Sequence, residues 1–344
     1  MSPNRKMQYG IAVRGQYHAK DDIRARFEEI VEQAKLAEAL GYDSITKTSH
    51  YSAHPWQNFQ QLPILARLTA ETSRLRLNAG IVLLSLHKPL DIAEQLATID
   101  IMSNGRLIFG AALGYRDVEF KGFGTTTKER GKRFTENLIA IKRLWTEDTV
   151  DMEGSHFTLD GASCCPHPLQ KPHPPIWIGA NADGALRRAA QYGDCWYINP
   201  HNRIDTIQRQ LDLYKAALDE FGKPFPDELP MRREVFVAGT RAEAIRLCAP
   251  YLKDKYDAYQ QWGQQKQMPE GDDDLSMVFE ELTANRFIIG SPDDVTEQIA
   301  ELHKSLGVNH LIMSMQWSDM PQSMVDDAMH LMAEKVFPQV EQAI

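Results

Sequence analysis

Histidine is the side chain whose ordinary pKa suits proton transfer near neutral pH, and His50 stands in Thr48-Ser49-His50-Tyr51, at the end of the short strand read at Tyr42 to Lys47. A lone histidine is more often structural than chemical, so position decides. Tyr51, Trp56 and Phe59 follow within ten residues, and could wall an apolar substrate pocket or simply pack a loop. Gly179-Ala180-Asn181-Ala182 joins an apolar run to a helix start. Small side chains and exposed backbone N–H groups there would suit a phosphate; an ordinary tight turn capped by Asn is the plain alternative. Ala79-Gly80 interrupts an apolar run, which reads as a bulge where something flat approaches, or as close packing. Arg130 and Arg133 open a helix, where cations oppose the dipole; an anionic partner would rationalise them, as would a solvated surface pair.

Other chemistries find little support. There is no GxxxxGK[ST] loop, HExxH helix or GxSxG elbow. Cys164, Cys165, His167 and His173 lie among prolines at no metal-ligand spacing, so no metal site is expected. Asp21-Asp22 and Asp272-Asp273-Asp274 read as solvated charges.

These residues need elements to hold them. Residues 75–115 read strand, helix, strand: Leu75 to Leu84, a helix opened by Pro89 and closed by Asn104-Gly105, then Leu107 to Leu113. That is the βαβ unit of a parallel sheet. Further strands are expected at 7–14, 42–47, 176–179, 195–198, 231–238 and 310–315, with helices between and a short strand pair near 151–159. Eight strands with no linker or change of composition predict one domain over residues 1–344, a (β/α)8 TIM barrel with insertions whose site lies on the loops after the strands. The rival, an open doubly wound sheet, usually carries GxGxxG after its first strand; RGQYH stands there instead. The polar stretch 263–275 has the composition of a mobile loop.

The 344 residues are 43% hydrophobic and 25% charged, with a net charge of −9, which disfavours a nucleic-acid partner. Four cysteines suggest no disulfide framework, and a cytoplasmic location is expected. The N-terminal MSPNRKMQYGIAVRG does not read as a signal peptide, and no apolar run is long enough to span a membrane.

Several blocks resemble the bacterial luciferase-like flavin monooxygenases. They are Pro89, Ala93-Glu94, Asp100 to Arg106, Phe109-Gly110, Gly114, Glu119-Phe120 and Phe123-Gly124, then Pro174 to Gly179 with Gly193 to Trp196, then Gly290 to Val295. The resemblance implies a barrel, usually dimeric, that binds reduced FMN, or in some relatives a deazaflavin coenzyme. It implies that Ala79 and Gly80 back the flavin ring, that His50 assists catalysis, and that Glu119, Arg133 and the Gly179-Ala180-Asn181 turn contact the cofactor. Tyr51, Trp56 and Trp317 are then expected as substrate-pocket walls. Ala112-Leu113 replaces the luciferases' Cys-Arg, so the phosphate would fall to the Asn181 turn with Arg130 or Arg133. The expected function is oxygenation of a small organic substrate by O2, with FMNH2 supplied by a separate reductase. Deazaflavin-dependent hydride transfer and non-catalytic flavin binding are the alternatives.

Overall fold

Apolar segments separated by amphipathic helices can bury both faces only by pairing in parallel, and that is what these do. The computed structural model describes residues 6–274, 277 and 279–344. Its strands are β1 (Gln8–Ala12), β2 (Ser44–Lys47), β3 (Arg76–Leu83), β4 (Leu107–Ala112), β5 (Val150–Glu153), β6 (Thr158–Ala162), β7 (Ile176–Gly179), β8 (Cys195–Tyr197), β9 (Pro230–Val237), β10 (Ile288–Gly290) and β11 (His310–Ser314). Nine of them form one parallel sheet in the order β10-β9-β11-β1-β2-β3-β4-β7-β8, while β5 and β6 form a separate antiparallel pair.

The sheet curls on itself. Ile198, the residue after β8, bridges in parallel to Met231 of β9. Its N–H donates to the Pro230 carbonyl at 2.9 Å, and its own carbonyl accepts from the Arg232 N–H at 3.0 Å. Helices cover the outside. The helix Pro89–Met102 starts with proline at its first turn and turns Ile92, Leu96 and Ile99 inward. The helix Ile23–Ala39 is capped by Asp22, whose side chain accepts from the N–H groups of Arg24 and Ala25, and Gly41 follows it at φ 87°. The helix Pro292–Leu306 carries a full Ser291–Asp294 capping box.

The structure corrects the sequence reading in three places. The sheet holds nine strands rather than eight, because Ile288–Gly290 pairs onto β9. Residues 116–131, where the sequence shows neither a strand pattern nor a helix start, contain the helix Asp117–Gly122. Asp272 is not solvated: its side chain is fully buried, 3.8 Å from the equally buried Arg286. Within the expected loop 263–275, Gln264–Gln267 form a 3-10 turn. Residue 275 of that loop and residues 1–5 of the N-terminal segment lie outside the described residues.

Candidate active site

Strand β3 sets the floor of the site. Its pairing with β4 runs in register to Ala79–Phe109 and resumes at Val82–Ala111, so Gly80 and Ile81 together oppose Gly110. This is a bulge of one extra residue. The Gly80–Ile81 peptide bond is cis. The bulged backbone lies so close to β4 that a Cβ on Gly110 would come within 2.7 Å of the Ala79 carbonyl oxygen, so position 110 has no room for a side chain. Ala79 turns into the core, fully buried, whereas Gly80 and Ile81 face a cavity of about 240 Å³ at the C-terminal ends of the strands.

The floor is continued by Ala112, the last residue of β4, and by Leu113 just beyond it. At one end the wall is Gly179-Ala180-Asn181-Ala182, followed by the helix Asp183–Tyr192. The residue capping that helix is Ala182, not Asn, and no side chain caps it. Its first-turn N–H groups therefore lack the side-chain acceptor that usually serves them. The Asn181 carbonyl is held from behind by the Gln210 amide at 2.8 Å and the Asn202 amide at 3.2 Å. Arg130 lines the same cavity and donates to the Gly114 carbonyl at 3.1 Å. Asn199 lines it too, and its buried Nδ2 has no hydrogen-bond partner among the described residues.

His50 lines the cavity as well, with 15% of its side chain exposed. Its Nδ1 lies 3.1 Å from Oε1 of Glu119, whose side chain is fully buried. The same oxygen accepts the Tyr51 N–H at 2.9 Å and Nη1 of Arg116 at 3.3 Å. Arg116 is fixed in turn by the Tyr51 carbonyl at 2.8 Å and the Ser52 carbonyl at 3.2 Å. Trp262, just past the helix Arg241–Gln261, packs its ring 5.0 Å from that of His50 and 4.3 Å from the Arg116 guanidinium. A carboxylate accepting at Nδ1 fixes the neutral tautomer with Nδ1–H, which leaves Nε2 as a lone-pair acceptor.

The cavity thus brings together His50, Gly80, Gly179, Ala180 and Asn181 of the residues expected from sequence. It does not bring the others to its wall. Glu119 lies behind His50 rather than against the cavity. Arg133 is buried with its Nε on the Ser85 carbonyl at 2.7 Å, and Arg130 lines the cavity in its place. Tyr51 points away, its hydroxyl 3.2 Å from Nε2 of His87 and its ring stacked edgewise on Phe123. Trp56 packs on His18, with ring centroids 4.3 Å apart. Trp317 is buried, and its indole N–H donates to Glu234 at 2.6 Å. Sequence reasoning missed Trp262 and Asn199. Trp262 stands alone in a polar stretch, and Asn199 beside Pro200 carries the look of a turn.

This geometry has close counterparts. A monooxygenase from Streptomyces bottropensis, RslO1, superposes with a TM-score of 0.86 at 26% identity, over 96% of this chain and 99% of that one. The family model described as luciferase-like monooxygenase matches residues 7–310, and the chain belongs to that family. Two relatives show its range. An FMNH2-dependent dimethylsulfone monooxygenase of Pseudomonas putida is 28% identical over 81% of this chain and 80% of its own length. An F420-dependent glucose-6-phosphate dehydrogenase of Rhodococcus erythropolis is 29% identical over 83% and 86% respectively.

Proposed function

We propose that this protein is a flavin-dependent monooxygenase that uses reduced FMN and O2 to oxygenate a small organic substrate, on a (β/α)8 barrel with β10 as an added strand. The observation that carries this reading is the make-up of the cavity. A flat apolar floor at Gly80, Ile81 and Ala112 suits a planar ring system. At one end, uncapped helix N–H groups and Arg130 suit a phosphate. The unpartnered Asn199 amide suits a ring carbonyl. The residues present therefore fit an FMN.

Bound reduced FMN would supply the two electrons with which O2 is activated, one oxygen atom entering the substrate and the other leaving as water. The chain's part is positional and protic. The floor and the Asn181 turn orient the ring and its phosphate. Trp262 and Arg116 screen His50 from water. Nε2 of His50 accepts or returns a proton at the reacting centre, held in that tautomer by Glu119.

The proposal includes a separate reductase as the source of FMNH2, a homodimeric assembly and, on its polar composition, the stretch 263–275 as a lid. A cytoplasmic location agrees with the free state of Cys164, Cys165, Cys195 and Cys248. Among the described residues no helix is long and apolar enough to cross a membrane. The Rhodococcus relative favours a second reading, hydride transfer with a deazaflavin on the same floor.

Anaerobic titration with FMNH2 and with reduced deazaflavin, followed by admission of 18O2, tests both. Tight FMNH2 binding and 18O in an organic product are expected. No binding of FMNH2 overturns the proposal, and deazaflavin oxidation without oxygen uptake transfers support to the second reading.

A further inference from the structure

Next to the main cavity is a second one of about 30 Å³, and Thr48 and Arg232 line both. It sits at the C-terminal ends of β1 and β11, where Arg14 and Gly15 follow the one strand and Ser314 and Ser318 lie at the end of the other. Arg14 is only 3% exposed. Its Nη2 donates to the Met320 carbonyl at 2.5 Å, and its guanidinium carbon lies 5.5 Å from the centre of the Tyr17 ring. Its Nε and Nη1 are buried without a hydrogen-bond partner among the described residues.

A buried cation normally carries a counter-charge, because burial disfavours its charged form. Burial does lower the pKa of Arg14. Tyr17, Glu29 and Asp21 oppose that effect and Arg26 adds to it, but among the described residues no carboxylate forms an ion pair with Arg14. Nε of Arg232 donates to the Ser314 hydroxyl at 2.8 Å. Lys255 is paired to Glu234, whose other oxygen takes the Trp317 indole N–H. Arg14, Arg232 and Lys255 thus line the cavity, among the described residues no carboxylate lines it, and Glu234 behind Lys255 is already engaged twice.

We propose that this cavity binds the carboxylate of a small organic acid through Arg14, and that such an acid is the substrate, its remainder lying in the main cavity. A water-sized atom needs about 10–15 Å³ of such space, so the volume takes about two, which matches the two oxygens of a carboxylate and is small for a phosphate or sulfonate. Arg14 offers two donors, and the Ser318 hydroxyl offers a third from the opposite strand end. The binding half of this inference stands on the geometry alone; the substrate half rests on the flavin reading above.

The test is calorimetric titration of the protein with acetate, propionate and benzoate against acetamide, propionamide and benzamide, with FMNH2 binding measured separately under anaerobic conditions. At least one acid is expected to bind ten-fold or more tightly than its amide. Arg14→Gln is expected to lose that preference and Arg14→Lys to keep part of it, with FMNH2 affinity unchanged in both. Equal binding of acid and amide, absence of binding by all three acids, or an undiminished preference in a folded Arg14→Gln protein overturns the proposal. The comparison of acid with amide needs only the wild-type protein, so it stands even where a variant does not fold. Failure of FMNH2 to bind sinks the flavin reading while leaving the carboxylate result to be read by itself.

Discussion

The Nδ1 atom of His50 lies 3.1 Å from a carboxylate oxygen of Glu119, a side chain with no exposed surface, and Arg116 lies against the same oxygen. A buried carboxylate costs free energy unless it is paired and hydrogen-bonded, and this one takes a ring N–H, a backbone N–H and a guanidinium. The group gains by aiming the lone pair of His50 into the cavity. His50→Ala is expected to lower kcat by roughly 10²–10⁴-fold, the usual range for a general acid or base. Glu119→Gln is expected to lower kcat about ten-fold or more through loss of the tautomer, and Glu119→Asp to recover part of it. Steady-state turnover with flavin affinity measured in parallel checks this. Unaltered kcat in His50→Ala would remove the histidine from the chemistry.

Arg130 and Arg133 sit one turn apart and are expected to part company on substitution. Arg130 lines the cavity near the uncapped helix start, so Arg130→Met is expected to cut the preference for FMN over riboflavin by roughly 10–100-fold, the worth of a charge-assisted hydrogen bond of about 1.5–3 kcal/mol. Arg133→Met leaves the Ser85 carbonyl without that donor. It is expected to cost about 1–3 kcal/mol of stability with the flavin preference intact. Paired flavin titrations and urea unfolding distinguish the two.

Lys47 is wholly buried, with Nζ donating to the Thr48 backbone carbonyl at 3.1 Å and to the side-chain Oδ1 of Asn58 at 3.3 Å. Burial first, and then the Arg232 charge, lower its pKa to about 7 from 10.5. Between these values the unfolded chain binds the proton more readily than the folded one, so folding stability rises with pH from about 7 towards 10. One such group sets a slope of at most about 1.4 kcal/mol per pH unit. Lys255, lowered to about 8, acts in the same direction. Urea midpoints at pH 7, 8 and 9 are expected to rise in the wild type and to rise less in Lys47→Met, which also starts higher at pH 7.

His87 supplies an acid-side counterpart. Burial lowers its pKa to about 4 from 6.5, and the neutral ring faces the Tyr51 hydroxyl. Its contribution to stability is complete above about pH 6.5 and is lost as the pH falls towards 4. Glu228, held near 2 by His310 and Arg76 against the opposing effect of burial, loses its contribution only below about pH 4.5. Thermal melts from pH 7 to 4.5 are therefore expected to show a decline that His87→Phe flattens and a substitution at Glu228 does not.

Local signals in the sequence carry most of this architecture. Pro89 and Asn104-Gly105 bracket their helix to within two residues, and Gly41 and the Ser291–Asp294 box mark real termini. Strand β10 escaped because three residues ending in Gly290 resemble the approach to a helix cap, and only the edge of β9 makes them a strand. His50 and the Asn181 turn, each read as following a strand, line the cavity. Side-chain direction is another matter. Tyr51 adjoins His50 in sequence, yet the chain turns there and points its ring at Phe123. Arg133 lies three residues beyond Arg130 and so faces the 3-10 turn at Leu84–Leu86. Trp262 and Arg14 are brought to the site by tertiary packing, which no local pattern encodes.

The closure between β8 and β9 has a consequence for how the site behaves. Other neighbouring strands share ladders of three or more residues, but Ile198 joins β9 by one bridge and two hydrogen bonds. Ile198 and Arg232 also line the main cavity. The thinnest seam in the wall therefore runs through the binding chamber, where opening costs the fewest backbone bonds. A ligand packed against both sides of that seam acts as its rivet, so the amides of Ile198 and Arg232 are where slowed hydrogen exchange would first report occupancy.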